Sequence, residues 1–294
     1  MQNFHTDLAL EAGERLKGNK LPGLVSENYR KGDLQISEIS LFSKETAALF
    51  GKECGRYYTV ECGEMRFMEE DEKEELISES AALLSKLLEK GEGTTLIIGL
   101  GNRDMTPDAL GPKTADQILV TRHLLGLLPE AEKLQSVCIL EPKVTGITGI
   151  ESADIAAALA GKIKPKQIIV IDALAAGEEK RIGRSIQFSD TGITPGSGIG
   201  NKRLALNKES LGVPVVAVGI PMVIYAKTLA FSMLEKAFPD EKIKESLQMI
   251  ENDGLVVTPK EIDAIMESCA ETLAKILNRA LQPNLSKEEF EQFQ

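Results

Sequence analysis

Histidine is scarce in this 294-residue chain, with only His5 and His123 present. A Ser–His or Cys–His nucleophile would have to draw on one of them. His5 stands near the start, and His123 lies in TRHLLGLLPE, whose apolar spacing predicts a helix and a structural role. No H-E-x-x-H segment occurs, so a zinc-peptidase helix of that kind is excluded. Cysteine is sparse too. Cys54, Cys62, Cys138 and Cys269 form no C-x-x-C pair and read as reduced thiols. There is no basic excess: 34 Lys and Arg stand against 45 Asp and Glu, a formal net charge of -11. Such a chain has no surplus charge to neutralise phosphates, and direct nucleic-acid binding is not expected. No apolar run approaches the roughly 20 residues of a bilayer span. MQNFHTDLALEAGERL lacks the basic-then-apolar order of a secretory signal, so the expected location is cytoplasmic.

What is present is a hydrophobic share of 43%, enough for a sizeable core. Residues 1–32 show no sustained period and read as a leader or arm. DLQISEISLF and GRYYTVECGEMRF alternate and predict strands separated by a turn or short helix. EEDEKEELISESAALLSKLLEKG carries apolar residues at helical spacing with glycine after it. TTLIIGLG then begins a different regime, a continuous apolar run typical of a strand buried on both faces. A helix is expected over residues 114–128, a strand at SVCILEP, a helix at SADIAAALAGKIK and a strand at QIIVIDALA. VPVVAVGIP predicts another strand, MVIYAKTLAFSMLEKAF a helix, and residues 260–281 a long helix after Pro259. SKEEFEQFQ reads as a capped helix or frayed tail. Strands alternating with helices predict an α/β layered sheet, much of it parallel.

In open α/β sheets, sites gather at the carboxyl ends of strands. Three segments qualify. GLGNRDMTPDALGP follows TLII and carries Asp104 and Asp108. Asp172 ends the apolar run QIIVI, where an unpartnered carboxylate would be costly to bury. ITPGSGIGNKR is a glycine-rich loop suited to border a cleft. Plainer readings stand beside each. GLGN does not complete G-x-G-x-x-G, because Asp104 replaces the third glycine. Asp108 could cap a helix starting near Ala109, and Asp172 could bind backbone amides at a strand end. Chemically, two neighbouring aspartates that share one proton can supply both the base that activates water and the acid that peptide hydrolysis requires.

TDLALE, LIIGLGNRDMTPDALGP, IIVIDALAA, ITPGSGIGN, VPVVAVGIP and LVVTPKEID, in this order, resemble the spore germination proteases of Bacillus and Clostridium relatives. The resemblance spans most of the chain. It implies a three-layer α/β/α sandwich with a mostly parallel mixed sheet, similar to hydrogenase-maturation proteases, plus extra N-terminal strands. It further implies an atypical aspartic endopeptidase, usually a homotetramer, that degrades DNA-protecting small acid-soluble spore proteins at germination in the spore core. Carried across by motif, the catalytic pair falls on Asp108 of TPDALGP and Asp172 of IDALA. Asp104 precedes the TPDALGP core and receives no role. No cofactor is implied, and no metal is expected.

Family members are made as zymogens, and their substrates are cut after an acid in a motif resembling Thr-Glu, Ile or Phe, Ala, a small residue, Glu. Thr6-Asp7-Leu8-Ala9-Leu10-Glu11 imitates it. The resemblance therefore implies self-cleavage between Asp7 and Leu8, dividing the chain into a propeptide (1–7) and a single peptidase domain (8–294). By its residues alone, TDLALE would read as a capped helix start. Two departures fall in VPVVAVGIPMVIYA, where the family tends to carry a small hydroxyl residue and an acid instead of Met222 and Tyr225. PKVTGITG also only approximates the family's loop. Two other classes remain open at this stage: a maturation-type peptidase that recognises a metal-loaded client, and a non-catalytic peptide-binding protein.

Overall fold

The computed structural model describes residues 5–16, 20–127, 133–194, 204–237, 254–286 and 289–290. A single mixed sheet organises them. Its strands are β1 (Leu24–Lys31), β2 (Leu34–Leu41), β3 (Gly55–Glu61), β4 (Thr95–Gly99), β5 (Val137–Leu140), β6 (Gln167–Ala176), β7 (Ser185–Ser189), β8 (Val215–Tyr225) and the short β9 (Val256–Val257). The order across the sheet is β1-β2-β3-β7-β8-β6-β4-β5, with β9 added to β8. The portion β5-β4-β6-β8 is parallel, and β1-β2-β3-β7 extends it antiparallel up to β8.

The helices are α1 (Ala9–Arg15), α2 (Lys44–Phe50), α3 (Glu70–Ser85), α4 (Leu110–Ala115), α5 (Thr145–Thr148), α6 (Ser152–Ile163), α7 (Lys208–Leu211), α8 (Ala226–Ala237) and α9 (Ile262–Leu281). Alternation along each strand decides which helices it meets. In β4, Ile97 faces α3, α4 and α9, whereas Leu96 and Ile98 face α6. In β6, Ile169 and Ile171 join the first cluster and Ile168 and Val170 the second. In β3, Tyr58 and Val60 join the α3/α9 side, and Tyr57 packs with α1 and α2. The layers are thus α3, α4 and α9 on one face and α1, α2 and α6 on the other. This is the expected α/β/α sandwich, with the N-terminal strands as its antiparallel extension.

Several elements differ from expectation. Residues 1–32 are not an arm throughout, since they contain α1 and β1. Strand β1 is an edge strand whose residues are mostly exposed, so it carries no alternation to read. The helix expected over 114–128 stops early: α4 ends at Ala115, and turns follow through 127. Ile118 and Leu119 are buried there without a helix, and His123 is exposed on a turn. Strand β8 runs on through Tyr225, so MVIY is strand and the helix begins at Ala226. The expected tail helix falls largely outside the described residues. Ser286 and Glu289 do exchange capping hydrogen bonds at 2.9 and 3.2 Å.

Candidate active site

The chain passes from β4 to β5 on one side and then, through α6, to β6 on the other. Such a reversal opens a crevice at the carboxyl ends of the strands. Here β4 stops at Gly99, opposite Ile171, while β6 continues for five more residues beside β8. Asp172 is the first residue of β6 beyond the end of β4. Asp172, which ends the apolar run, is an interior residue of this strand with β4 missing from one flank. Its carboxylate accepts from the Ala173 amide at 3.0 Å.

Asp108 is delivered by the loop after β4, in a single 3-10 turn, Thr106–Asp108. It does not cap α4, whose N-cap is Ala109. Instead the Asn102 amide donates both to its carboxylate, at 2.8 Å, and to its carbonyl oxygen, at 3.1 Å. Gly101 makes this closure possible. Its φ is +116°, and a Cβ there would overlap the Asp108 carbonyl oxygen. Arg103 braces the loop, donating to Asp116 at 3.0 Å and to Glu141 beyond β5 at 2.9 Å. Asp104 is exposed on the turn.

Asp108 and Asp172 line one cleft of about 730 Å³, together with Asp7, Gly101, Asn102, Val144, Gly146, Gln187 and Tyr225. Of Met222 and Tyr225 in β8, Tyr225 reaches the cleft. Met222 is fully buried in the core. The PKVTGITG loop contributes Val144 and Gly146. Of the glycine-rich loop, Ile193 and Thr194 line the cleft, and residues 195–203 lie outside the described residues.

The first described residues border this cleft through Asp7. The Asp7 amide donates to the Ala175 carbonyl at 2.9 Å, and the Ala175 amide donates to the Asp7 carboxylate at 2.8 Å. His5 Nε2 lies 3.6 Å from Asp7 Oδ1, and its ring meets Tyr225 edge-on at 4.7 Å. Lys52 Nζ donates to the carbonyl oxygens of Thr6 (3.2 Å) and Asp7 (2.9 Å). The Gln187 side chain donates to the Asp7 carbonyl at 2.9 Å and accepts from the Ala9 amide at 2.7 Å. Leu8 and Ala9 are fully buried. Burial pushes the Asp7 pKa up, but His5, Lys52 and the Ala175 amide outweigh it and hold the carboxyl below its ordinary value. Burial lowers the Lys52 pKa, with Asp7 and Glu11 opposing in part.

Further along, the buried Glu11 carboxylate accepts from the Gly177 amide at 2.6 Å, the Glu178 amide at 2.9 Å and Arg181 at 3.2 Å. Thr6 Oγ1 also donates to it. Arg181 in turn holds Glu14 at 2.9 and 3.0 Å and Glu61 of β3 at 2.6 Å. Lys52, Gln187 and Arg181 carry no signal of this role in the sequence. Ala175 lies within IIVIDALAA, whereas Lys52 and Gln187 belong to no motif and gain their place from where the first residues lie.

At the carboxyl edge of this α/β/α sandwich, Asp7 of the N-terminal segment and the two aspartates line one cleft. The chain belongs to the germination protease family, whose model matches residues 5–238, and is a peptidase of germination. It is 37% identical to the germination protease of Clostridium tetani over 99% of both chains. It is 38% identical to that of Clostridium perfringens strain 13 (100% of this chain, 99% of the relative). The Bacillus velezensis enzyme is 36% identical (97% and 95%). Among solved structures, a [NiFe] hydrogenase maturation protease HycI from Thermococcus kodakarensis KOD1 aligns with a TM-score of 0.34 and 22% identity, covering 66% of this chain and 98% of that one.

Proposed function

We propose that this peptidase is an aspartic-type endopeptidase of small acid-soluble spore proteins. In this reading Asp108 and Asp172 act as a pair, and the chain is a zymogen that cuts itself between Asp7 and Leu8. One aspartate takes a proton from the attacking water and the other protonates the leaving nitrogen, a division that two carboxyls sharing a proton can maintain. The observation that carries this reading is that Asp7 lines the same cleft as Asp108 and Asp172, with its backbone and carboxylate held there by Ala175 and Gln187. A substrate acid cannot take the Lys52, Gln187 and Ala175 contacts while Asp7 holds them, which supports an inactive precursor. The Thr-Asp-Leu-Ala-Leu-Glu segment has the form of a substrate, which supports Asp7–Leu8 as the bond cut. Residues 1–7 then form the propeptide and residues 8–294 the peptidase domain. Family membership supports the substrate class, a homotetramer and residence in the spore core.

The test is to incubate the full chain beside Asp108→Asn and Asp172→Asn. Intact mass and cutting of a small acid-soluble spore protein are followed. Loss of residues 1–7 and substrate cutting by the wild type alone is the expected result. Equal cutting by both variants would overturn the aspartate pair.

A further inference from the structure

The Asp7–Leu8 bond is held by more than the leader's own backbone. The carbonyl oxygen of Asp7 accepts two hydrogen bonds from outside the leader, from Lys52 Nζ and Gln187 Nε2, each at 2.9 Å. The donors come from separately anchored places, Lys52 just past α2 and Gln187 in the middle of β7. Each has a second hold on the same segment. Lys52 Nζ also reaches the Thr6 carbonyl at 3.2 Å, and Gln187 Oε1 accepts from the Ala9 amide at 2.7 Å. The Gln187 amide therefore bridges the bond, touching the residue before Leu8 and the residue after it.

We propose, resting on the reading of Asp7–Leu8 as the bond cut, that Lys52 and Gln187 are the oxyanion-binding pair of this peptidase. They hold the carbonyl oxygen of the acidic residue that precedes the cut, first in the leader and afterwards in substrates. During hydrolysis the oxygen of water bonds to the Asp7 carbonyl carbon, and the C=O electron pair moves onto the carbonyl oxygen. The water's proton passes to one carboxylate. Collapse re-forms the C=O bond and breaks the bond to the Leu8 nitrogen, which gains a proton and leaves as an amine. Negative charge on the Asp7 oxygen rises and falls across these steps. Preorganised donors act on such charge at about 2.7–3.1 Å, and both contacts lie in that range. An ammonium discriminates strongly between a neutral carbonyl and an oxyanion where water is excluded, so its contribution grows towards the transition state. Once residues 1–7 depart, the same two donors face the cleft that a substrate must enter.

Full-length chains carrying Lys52→Met, Lys52→Arg and Gln187→Ala are compared with wild type, Asp108→Asn and Asp172→Asn. The first-order appearance of the 8–294 product is read by intact mass, and amide exchange at Leu8 and Ala9 reads how firmly the leader is seated. Lys52→Met and Gln187→Ala are each expected to slow cutting by about 10²- to 10³-fold. Loss of one hydrogen bond should quicken leader exchange by only about tenfold or less. Lys52→Arg, which keeps a cationic donor, should recover part of the rate. Cutting at the wild-type rate or faster in both variants would overturn the pair and leave a clamp that only restrains the leader. A fall in rate no larger than the loss of seating would overturn it too. If wild type does not cut after Asp7, the self-cleavage reading falls and takes the pair with it. If Asp108→Asn and Asp172→Asn still cut while Lys52→Met does not, the aspartate assignment falls and the pair stands.

Discussion

Two carboxylates in the first eleven residues are held in opposite ways. Asp7 sits in the cleft with its side chain 28% exposed, bound by a backbone amide, a histidine 3.6 Å away and the nearby charge of Lys52. Glu11 lies four residues on, its side chain 1% exposed, bound by two amides and the buried Arg181. Their titration differs accordingly. Partners outweigh burial at Asp7 and lower its pKa, whereas burial outweighs partners at Glu11 and raises it. Leu8 stands between them. The difference bears on where the proposed cut falls: Asp7 is held at the edge of the cleft, whereas Glu11 is built into the core. A cut at that junction frees the first segment without undoing the second.

Arg181→Met is expected to produce the largest effect. Its side chain is 3% exposed and ties Glu11 and Glu14 of α1 to Glu61 of β3. Removing one partner of a buried ion cluster leaves carboxylates uncompensated, a loss of about 3–5 kcal/mol. Urea titration of the full chain measures it. A loss below about 1 kcal/mol would mean that α1 is not anchored there and would erase the contrast with Asp7. Glu11→Ala comes next. It strips the Gly177 and Glu178 amides of their acceptor, at about 1–3 kcal/mol by the same titration.

Acid should separate the two groups without mutation. Asp7 has a lowered native pKa, so its contribution is fully present above its ordinary value of 3.8 and is lost as pH falls through the native value. Glu11 has a raised native pKa, so its cost appears as pH rises through its ordinary value of 4.5 and is relieved on acidification. Leader seating should therefore weaken below about pH 3.8 while α1 stays attached. Amide exchange in the uncut Asp108→Asn chain, corrected for its intrinsic pH dependence, reads this. Asp7→Asn should abolish the dependence, by less free energy than Glu11→Ala costs. Seating that is flat with pH in the parent chain would show that the Asp7 charge holds nothing.

These contrasts were only partly legible in the sequence. The runs at Thr95–Gly99 and Gln167–Ala176 read as strands because both of their faces are covered and continuous apolar character survives in one dimension. Asp172 ends the apolar run within QIIVIDALA, and carboxylates rarely interrupt a buried strand. It is tolerated because β4 stops one register short and leaves that flank to the cleft. The turns at 116–127 imitate a helix because Ile118 and Leu119 are buried by tertiary packing, including the hydrogen bond from the Leu119 amide to Asn278 of α9 at 2.9 Å. Lys52 and Gln187 left no local signal at all. A lysine after a helix and a glutamine in a strand are ordinary until the leader folds back over both.

The smallest expected effect bears on the releasing side of the contrast. His5 packs edge-on against Tyr225 at 4.7 Å and lies beside Asp7. An aromatic pair of this kind contributes about 0.5–1.5 kcal/mol beyond burial, and the partly exposed His5–Asp7 contact about 0–1 kcal/mol. His5→Ala should therefore quicken amide exchange at Asp7 and Leu8 by about two- to tenfold, as that pair energy implies. The urea midpoint should stay nearly where it was, because nothing in the core rests on His5. Tyr225→Ala should quicken the same amides. If His5→Ala instead lowered global stability as much as Glu11→Ala, residues 5–7 would be part of the fold rather than a guest in its cleft. Cutting after Asp7 would then have to unfold what it released.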